Sequence, residues 1–441
     1  MALARKKTSP NIAMLKAAIK EEWNKVYEAL DSGCDVNAEH RGNTIGTIAM
    51  TQLYGYKRLE ILIDDYGLDV NRPIAGKYSL LSYAKNFENF NYVASKNKRV
   101  QNVLDLDGTL DKYPHQYSNE YHVYNGDFLH NPIHTAIRYG FDRRAFDILR
   151  TLGFDFNVLS PYNKNTLLFS AIKYNNMPAL ESLSRYVDVN APNIYNEVPI
   201  MWACQQGNAE AVSILLEHGA NLSAVSHGYR NKDKQGVKTT IKKFESDRPL
   251  IAWVKGSTED RLKIYKLLKG KTNVDAATAP HKYTKYMQES LSGDLLCMKA
   301  LYEENGANPF LDDSKGKTAL TWSARSNKYP KFAYNLSIFR ERAERDPDWS
   351  YLNELYSIKK HILSKYAAEL FEYIRIKNIN ETYGPEAFGR LDWPPYFVFE
   401  TVSEEVMQNL QLIYTDVTND IRRIEDDGVG CFRRASPYLR R

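Results

Sequence analysis

The chain has 441 residues, 43% of them hydrophobic, and 59 Lys+Arg against 54 Asp+Glu leave a formal net charge of +5. That is the composition of a folded protein, and so near a balance of charge excludes a chain built to wrap nucleic acid. No run of about 18 apolar residues occurs, which excludes a membrane-spanning helix. The four cysteines, Cys34, Cys204, Cys297 and Cys431, form no CxxC pair and no disulfide framework, so a reducing compartment, the cytoplasm, is expected. The basic start through Lys20 lacks a long apolar core and reads as a lead-in and first helix rather than a signal peptide. The 31 tyrosines are the unusual feature, and rigid amphipathic tyrosine leans toward protein binding.

Taken in order, Asn11 to Ala38 predicts two short helices (Met14, Leu15, Ala17, Ala18; then Val26, Tyr27, Ala29, Leu30) ending in Gly33-Cys34-Asp35-Val36-Asn37. A second unit opens at Arg41-Gly42-Asn43-Thr44 and ends at Gly67-Leu68-Asp69-Val70-Asn71, 34 positions after the first. A third opens at Gly76 and runs through Ala84. Regularity then fails over about 85–128, a polar, tyrosine-bearing stretch that reads as an insertion. The pattern resumes at His130-Asn131-Pro132-Ile133-His134-Thr135-Ala136 and reaches Asn157. The next unit opens at Asn163-Lys164-Asn165-Thr166 and ends at Asn190, 33 positions on. The most regular unit follows, Asn190 to Ala224: a polar turn at Asn193 to Glu197, a helix through Ile200, Met201, Ala203 and Cys204, a break at Gly207-Asn208, and a second helix through Leu216 to Gly219.

A second insertion covers about 225–246, with Arg230, Lys232, Lys234, Lys238, Lys242 and Lys243 against Asp233. Such a loop is open to three readings: plain solvent exposure, an acidic protein partner, or nucleic acid and anionic lipid. Weaker units follow from Pro249, ending degenerately at Asn273-Val274-Asp275, and from Tyr286 to Phe310. The last clear opening is Lys315-Gly316-Lys317-Thr318-Ala319-Leu320. Beyond it, Leu352, Leu355, Ile358, Ile362, Tyr366, Leu370 and Ile374 make one helical stripe, and Val406, Leu410, Ile413, Val417, Ile421 and Ile424 a second. Asp392-Trp393-Pro394-Pro395 breaks them apart, and the tail from Asp426 reads as loose. The two helices pack on the last repeat as a cap or form a small helical domain.

The unit at 190–224 resembles an ankyrin repeat. Val198-Pro199-Ile200-Met201-Trp202-Ala203 stands where that family has T-P-L-H-x-A, and Leu215-Leu216-Glu217-His218-Gly219-Ala220-Asn221 stands at its terminal turn. The resemblance covers about residues 11–325 in some nine uneven units. It implies an all-α ankyrin-repeat solenoid with two insertions, residues 1–325, followed by a C-terminal helical region, 326–441. It implies N-capping by Thr44, Thr166 and Thr318, and turn-building by Asp35, Asn37, Asp188 and Asn190. It also implies a scaffold or adaptor that binds a protein partner through hairpin tips, the concave helix surface and the insertions. The partner-facing candidates carried over by position are Arg41, Tyr78, Tyr162 and Tyr195, with Tyr229 beside the basic insertion. Irregular ankyrin proteins of this composition resemble those that intracellular bacteria or large viruses direct into host cells. The Asp-Val-Asn repeat ends at Asn37, Asn71 and Asn190 resemble asparagines that host hydroxylases modify.

Three chemical alternatives weigh less. Asp105-Leu106-Asp107-Gly108-Thr109-Leu110 resembles the opening motif of haloacid-dehalogenase-like phosphatases, but the preceding Lys98 to Asn102 offers no buried strand. Cys431 with His361 makes no complete cysteine-hydrolase arrangement, because only ten residues follow Cys431. His115, His122, His130 and His134 cluster without supporting cysteines. No catalytic residue, metal or cofactor is expected; an ankyrin-bearing hydrolase is the alternative.

Overall fold

The computed structural model describes residues 9–74, 79–96, 132–160, 163–227, 247–345, 349–383 and 403–431. It does not describe the side chains of 349, 368, 372, 375, 376, 379–383 and 427–431. The chain divides into two compact units, Met1–Ser226 and His227–Arg441.

In the first unit the helices come in pairs: α1 (Pro10–Ile19) with α2 (Trp23–Asp31), and α3 (Ile45–Thr51) with α4 (Gly55–Asp64). A single 3-10 turn, Leu80–Tyr83, then pairs with α5 (Phe87–Lys96). After these come α6 (Pro132–Arg138) with α7 (Arg143–Thr151), α8 (Leu167–Lys173) with α9 (Met177–Leu183), and α10 (Pro199–Gln206) with α11 (Ala209–Glu217). A seven-residue helix cannot stand alone, so packing on both sides stabilises it. Accordingly α8 buries every residue from Leu167 to Ile172, whereas α7, at the outer layer, buries only Ala145, Phe146 and Leu149. In every pair but the third the chain reverses through a left-handed residue: Glu21, Tyr54, Gly140, Asn175 or Gly207.

The expected caps are present at Thr44, which forms a reciprocal capping box with Thr47, and at Thr318, whose hydroxyl accepts from the Leu320 amide. Thr166 corrects the expectation. It occupies the N-cap of α8, but its buried Oγ1 has no hydrogen-bond partner. The second helices carry the stronger caps. Asn176 Oδ1 accepts from the Ala179 amide, while its Nδ2 donates to the carbonyls of Ala136, Ile137 and Phe141 in the previous pair. Two pairs earlier Asn89, inside α5 (Phe87–Lys96), also bridges to the preceding pair, donating to the Ala49, Met50 and Gln52 carbonyls and accepting from the Tyr56 amide of α4.

The repeat ends form a ladder. Asp35 accepts from the Asn37 amide, Asn37 from the Asp69 amide, and Asp69 from the Asn71 amide. Asp188, Asn190 and Asn221 repeat the pattern, as Asn190 accepts from the Asn221 amide at 2.6 Å. In the second unit the degenerate-looking Asn273 and Asp275 work the same way, Asp275 accepting from the Asn308 amide at 2.8 Å.

The interruption expected from residue 85 begins later. α5 is the second helix of the third pair, and Phe87 and Phe90 pack on Phe141 at ring separations of 6.2 and 5.5 Å. The polar spacing of Asn86, Glu88, Asn89 and Asn91 disguised an amphipathic helix that buries Phe90, Val93 and Ala94.

The second unit opens with another 3-10 turn, Leu250–Trp253, followed by α12 (Thr258–Leu268). Then come α13 (Lys285–Ser292), α14 (Leu295–Lys299) running into a π turn, α15 (Ala319–Arg325) and α16 (Tyr329–Arg345). The chain closes with the long α17 (Trp349–Tyr383) and α18 (Glu404–Cys431). Leu320 and Ala324 of α15, Phe332 and Leu336 of α16, the α17 stripe and the α18 stripe share one core. Glu354 of α17 accepts from the Thr318 and Thr321 hydroxyls and from the Thr321 amide, so α17 itself caps α15. The tail expected to be loose from Asp426 is helical through Cys431, since each residue added to an existing helix closes a bond without a new nucleus.

Candidate partner-binding surface

The hairpin tips are built by short Asx turns. In the tip at 193–197, Asn193 Oδ1 accepts from the amides of Tyr195 (2.9 Å) and Glu197 (3.0 Å). Its Nδ2 donates to Glu197 Oε2 (2.8 Å) and Asn165 Oδ1 (3.0 Å). Trp202 Nε1 donates to the same Glu197 oxygen at 2.9 Å. Asn196, in the left-handed region at φ 58°, donates to the Val225 carbonyl, and the Ile194 amide donates to the Asn163 carbonyl. The tip is thus tied to its neighbours on both sides, which lowers the entropy lost when something binds it. Asp313 repeats the device in the second unit, accepting from the amides of Lys315 (2.7 Å) and Lys317 (3.0 Å).

Of the partner-facing candidates, Arg41 lies at the tip of the hairpin β1 (Glu39–His40) to β2 (Asn43–Thr44), exposed and left-handed at φ 52° ahead of Gly42 at φ 74°. Two consecutive left-handed residues suit a tight two-residue hairpin. Tyr195 is half-buried in the tip at 193–197. Tyr78, Tyr162 and Tyr229 lie outside the described residues. Two apolar residues missed in the sequence stand out: Ile194, 56% exposed beside Tyr195, and Leu159, 43% exposed before the preceding tip. Their signal was weak, because a lone aliphatic residue in a polar turn has no period to announce it.

The first helices offer a second face. Arg138 lies over the Tyr139 ring at 5.9 Å and Lys173 over the Tyr174 ring at 5.3 Å, at equivalent places in successive pairs. Trp202 is half-buried one pair later, edge-on to Phe169 at 5.2 Å.

The chemical candidates have other roles. His134 is buried and packs edge-on against Tyr174 at 5.5 Å, a core position. Cys204 is fully buried. His361 is held below its ordinary value by burial and by Arg325, Lys365 and Lys317, and its side chain is half-buried on α17. Asp105 to Leu110, His115, His122, His130 and the Cys431 side chain lie outside the described residues. Among the described residues no three His, Cys, Asp or Glu side chains are grouped to hold a metal, and no helix is long and apolar enough to cross a membrane.

One ionic cluster that no sequence motif announces sits inside the second unit. Glu289, 1% exposed, accepts from Arg261 (2.5 Å), Lys285 (2.9 Å) and the Tyr265 hydroxyl (2.9 Å). Arg261 also reaches Asp294 at 2.6 Å. Cys297 stands beside them, its thiol pushed up to about 12 by burial and by Glu289. A thiol in that state is a core residue, not a nucleophile. Lys331 donates to the Leu291 and Gly293 carbonyls, and burial brings it down to about 8. A folded value below the unfolded 10.5 means that the unfolded chain holds that proton more tightly, so folding gains stability as pH rises from about 8 to 10.5. Relative to Lys331→Met, the native chain should therefore become more stable between about pH 7.5 and 9.5, which urea melts across that window would show; a constant difference between the two chains would refute the assignment.

Comparison with known proteins adds the following. A family model for ankyrin repeats (three copies) matches residues 130–226. None of the curated proteins matches the chain. Among solved structures, the human ASB11 ankyrin repeat domain is similar at 16% identity over 59% of this chain and 99% of that one, TM-score 0.40. One chain of the complex between the predatory endopeptidase Bd0816 of Bdellovibrio bacteriovorus and the immunity protein Bd3460 is similar at 18% identity over 47% of this chain and 96% of that chain, TM-score 0.37. The ankyrin repeat domain of Bcl-3, a member of the IkappaB family, matches at 14% over 50% and 91%, TM-score 0.36. Residues 130–226 are an ankyrin-repeat region, and further helices extend the fold beyond it.

Proposed function

We propose that the protein is an adaptor that holds a protein partner on its hairpin tips and first-helix face. The tip at 193–197 carries this reading: a backbone fixed by Asn193 presents Ile194 and Tyr195, an exposed aliphatic and a half-buried aromatic residue, on a pre-organised turn. Rigid aromatic and apolar anchors on an ordered backbone are what a binding hot spot needs. Arg41 contributes at its own tip, and Tyr78, Tyr162 and Tyr229 belong to the same proposal by position. So does a division of labour in which 1–325 binds and 326–441 caps. Work in a host-cell cytoplasm, with hydroxylation at Asn37, Asn71 and Asn190, is the finer form of this reading, supported by composition and by the Asp-Val-Asn ends.

The test is affinity capture from cell lysate with the full chain, compared with Ile194→Ser/Tyr195→Ala. A partner retained by the full chain should fall by about tenfold or more on the double change, a loss of at least about 1.4 kcal/mol. Undiminished capture would overturn the tip assignment.

A further inference from the structure

The second unit gathers cations on one surface, none of them held in an ion pair among the described residues. Lys317 and Arg325 both lie over the Trp322 ring, at 5.9 and 5.3 Å, and Lys365 lies over Tyr366 at 4.8 Å. Lys315 is two residues from Lys317 on a tip whose backbone Asp313 fixes. His361 feels Arg325, Lys365 and Lys317 together, and Lys317 feels Arg325 and Lys315, so these groups share one locality. None of Lys315, Lys317, Arg325 and Lys365 forms an ion pair among the described residues. Asp313, whose charge acts on Lys317, is buried and committed to the turn. Like charges crowded without counterions repel one another, and an anionic partner relieves that repulsion.

Beside the patch lies a cleft of about 530 Å³ that shares Lys315 and Lys317 and is walled by Phe310, Phe339 and Tyr351, with Arg342 stacked on Phe310 at 4.2 Å. That volume is suited to side chains of a bound segment. Of the two carboxylates on its wall, Glu354 is occupied by the two threonine hydroxyls and an amide of α15, and Asp312 is exposed.

We infer that this patch and cleft bind an extended acidic protein segment, its carboxylates on Lys315, Lys317, Arg325 and Lys365 and a side chain entering the cleft beside Lys315 and Lys317. The inference rests on the protein-binding reading above and adds the chemistry of the partner. An acidic polypeptide fits better than nucleic acid, because the patch offers only four cations and the chain's net charge is only +5.

The experiment is fluorescence anisotropy of the full chain with a labelled peptide of alternating glutamate and leucine, with unlabelled oligothymidylate as competitor. The expected result is binding that weakens with salt and falls at least about tenfold in Lys317→Glu/Arg325→Glu, while Lys317→Arg/Arg325→Lys retains it. Lys315→Glu/Lys365→Glu, at two exposed positions, is a second reversal with the same expected loss, and it decides the matter where the first pair fails to fold. No peptide binding, binding indifferent to both reversals, or tighter binding of oligothymidylate through the same residues would overturn the inference. Lys16→Glu/Lys20→Glu, at exposed positions of the other unit, should leave the peptide affinity unchanged; a loss there would overturn the siting. Failure here leaves the lysate capture, which reads the first unit's tip, to decide the adaptor proposal by itself.

Discussion

Replacing Glu289 by glutamine is expected to destabilise the second unit by about 3–5 kcal/mol, the usual cost of breaking a buried ion pair from one side. Arg261 and Lys285 both pair with this carboxylate, with side chains 15% and 6% exposed. Glutamine keeps the shape but turns an amide toward two cations and toward the Tyr265 hydroxyl. Among the described residues, Asp294 would remain as the acid paired with Arg261. The neighbouring turn lies close against the Glu289 carboxylate: a Cβ on Gly293 would lie 1.7 Å from Glu289 Oε2. Urea unfolding followed by hydrogen exchange over α12 to α14 measures the effect. A cost below about 1 kcal/mol would show that the cluster is solvated and that its bonds are not what hold the unit.

The second large effect is expected at Asn176→Ala, about 2–4 kcal/mol against the first unit. Asn176 is 4% exposed and joins two helix pairs, capping α9 through its oxygen and binding three carbonyls of the preceding pair through its nitrogen. Ala136 and Ile137 keep a second donor each, from the amides of Phe141 and Gly140, which limits the penalty. Asn208 supplies the internal control. It caps α11 in the same way, but its nitrogen meets only the side chains of Asn175 and Met177, so Asn208→Ala should cost about 1 kcal/mol, a cap alone. Equal costs at the two sites would mean that the inter-repeat bonds of Asn176 contribute nothing.

These asparagines also show what was legible in the sequence and what was not. The period, the reversal at Gly207 and the stripes at 352–374 and 406–424 could be read directly, because helical spacing and glycine leave local marks. Thr44 and Thr318 could be read as caps for the same reason. Thr166 has the right residue at the right place and still makes no cap bond, since geometry at a helix start is settled by packing rather than by residue type. The first helices of the third pair and of the second unit's opening shrink to one 3-10 turn each, Leu80–Tyr83 and Leu250–Trp253, although their apolar strings look like the others. Glu289 was invisible because its partner Arg261 is 28 residues away and no motif links them. At the binding surface, Arg41 and Tyr195 were reached by repeat position, whereas Ile194 needed its exposure to be seen.

Hydrogen exchange of the full chain with and without its captured partner tests the adaptor account most directly. The account predicts slowed exchange at the tips, residues 39–44 and 193–197, and along the ends of α6 and α8 that carry Tyr139 and Tyr174. Protection confined to α18, or none in the first unit at all, would contradict it.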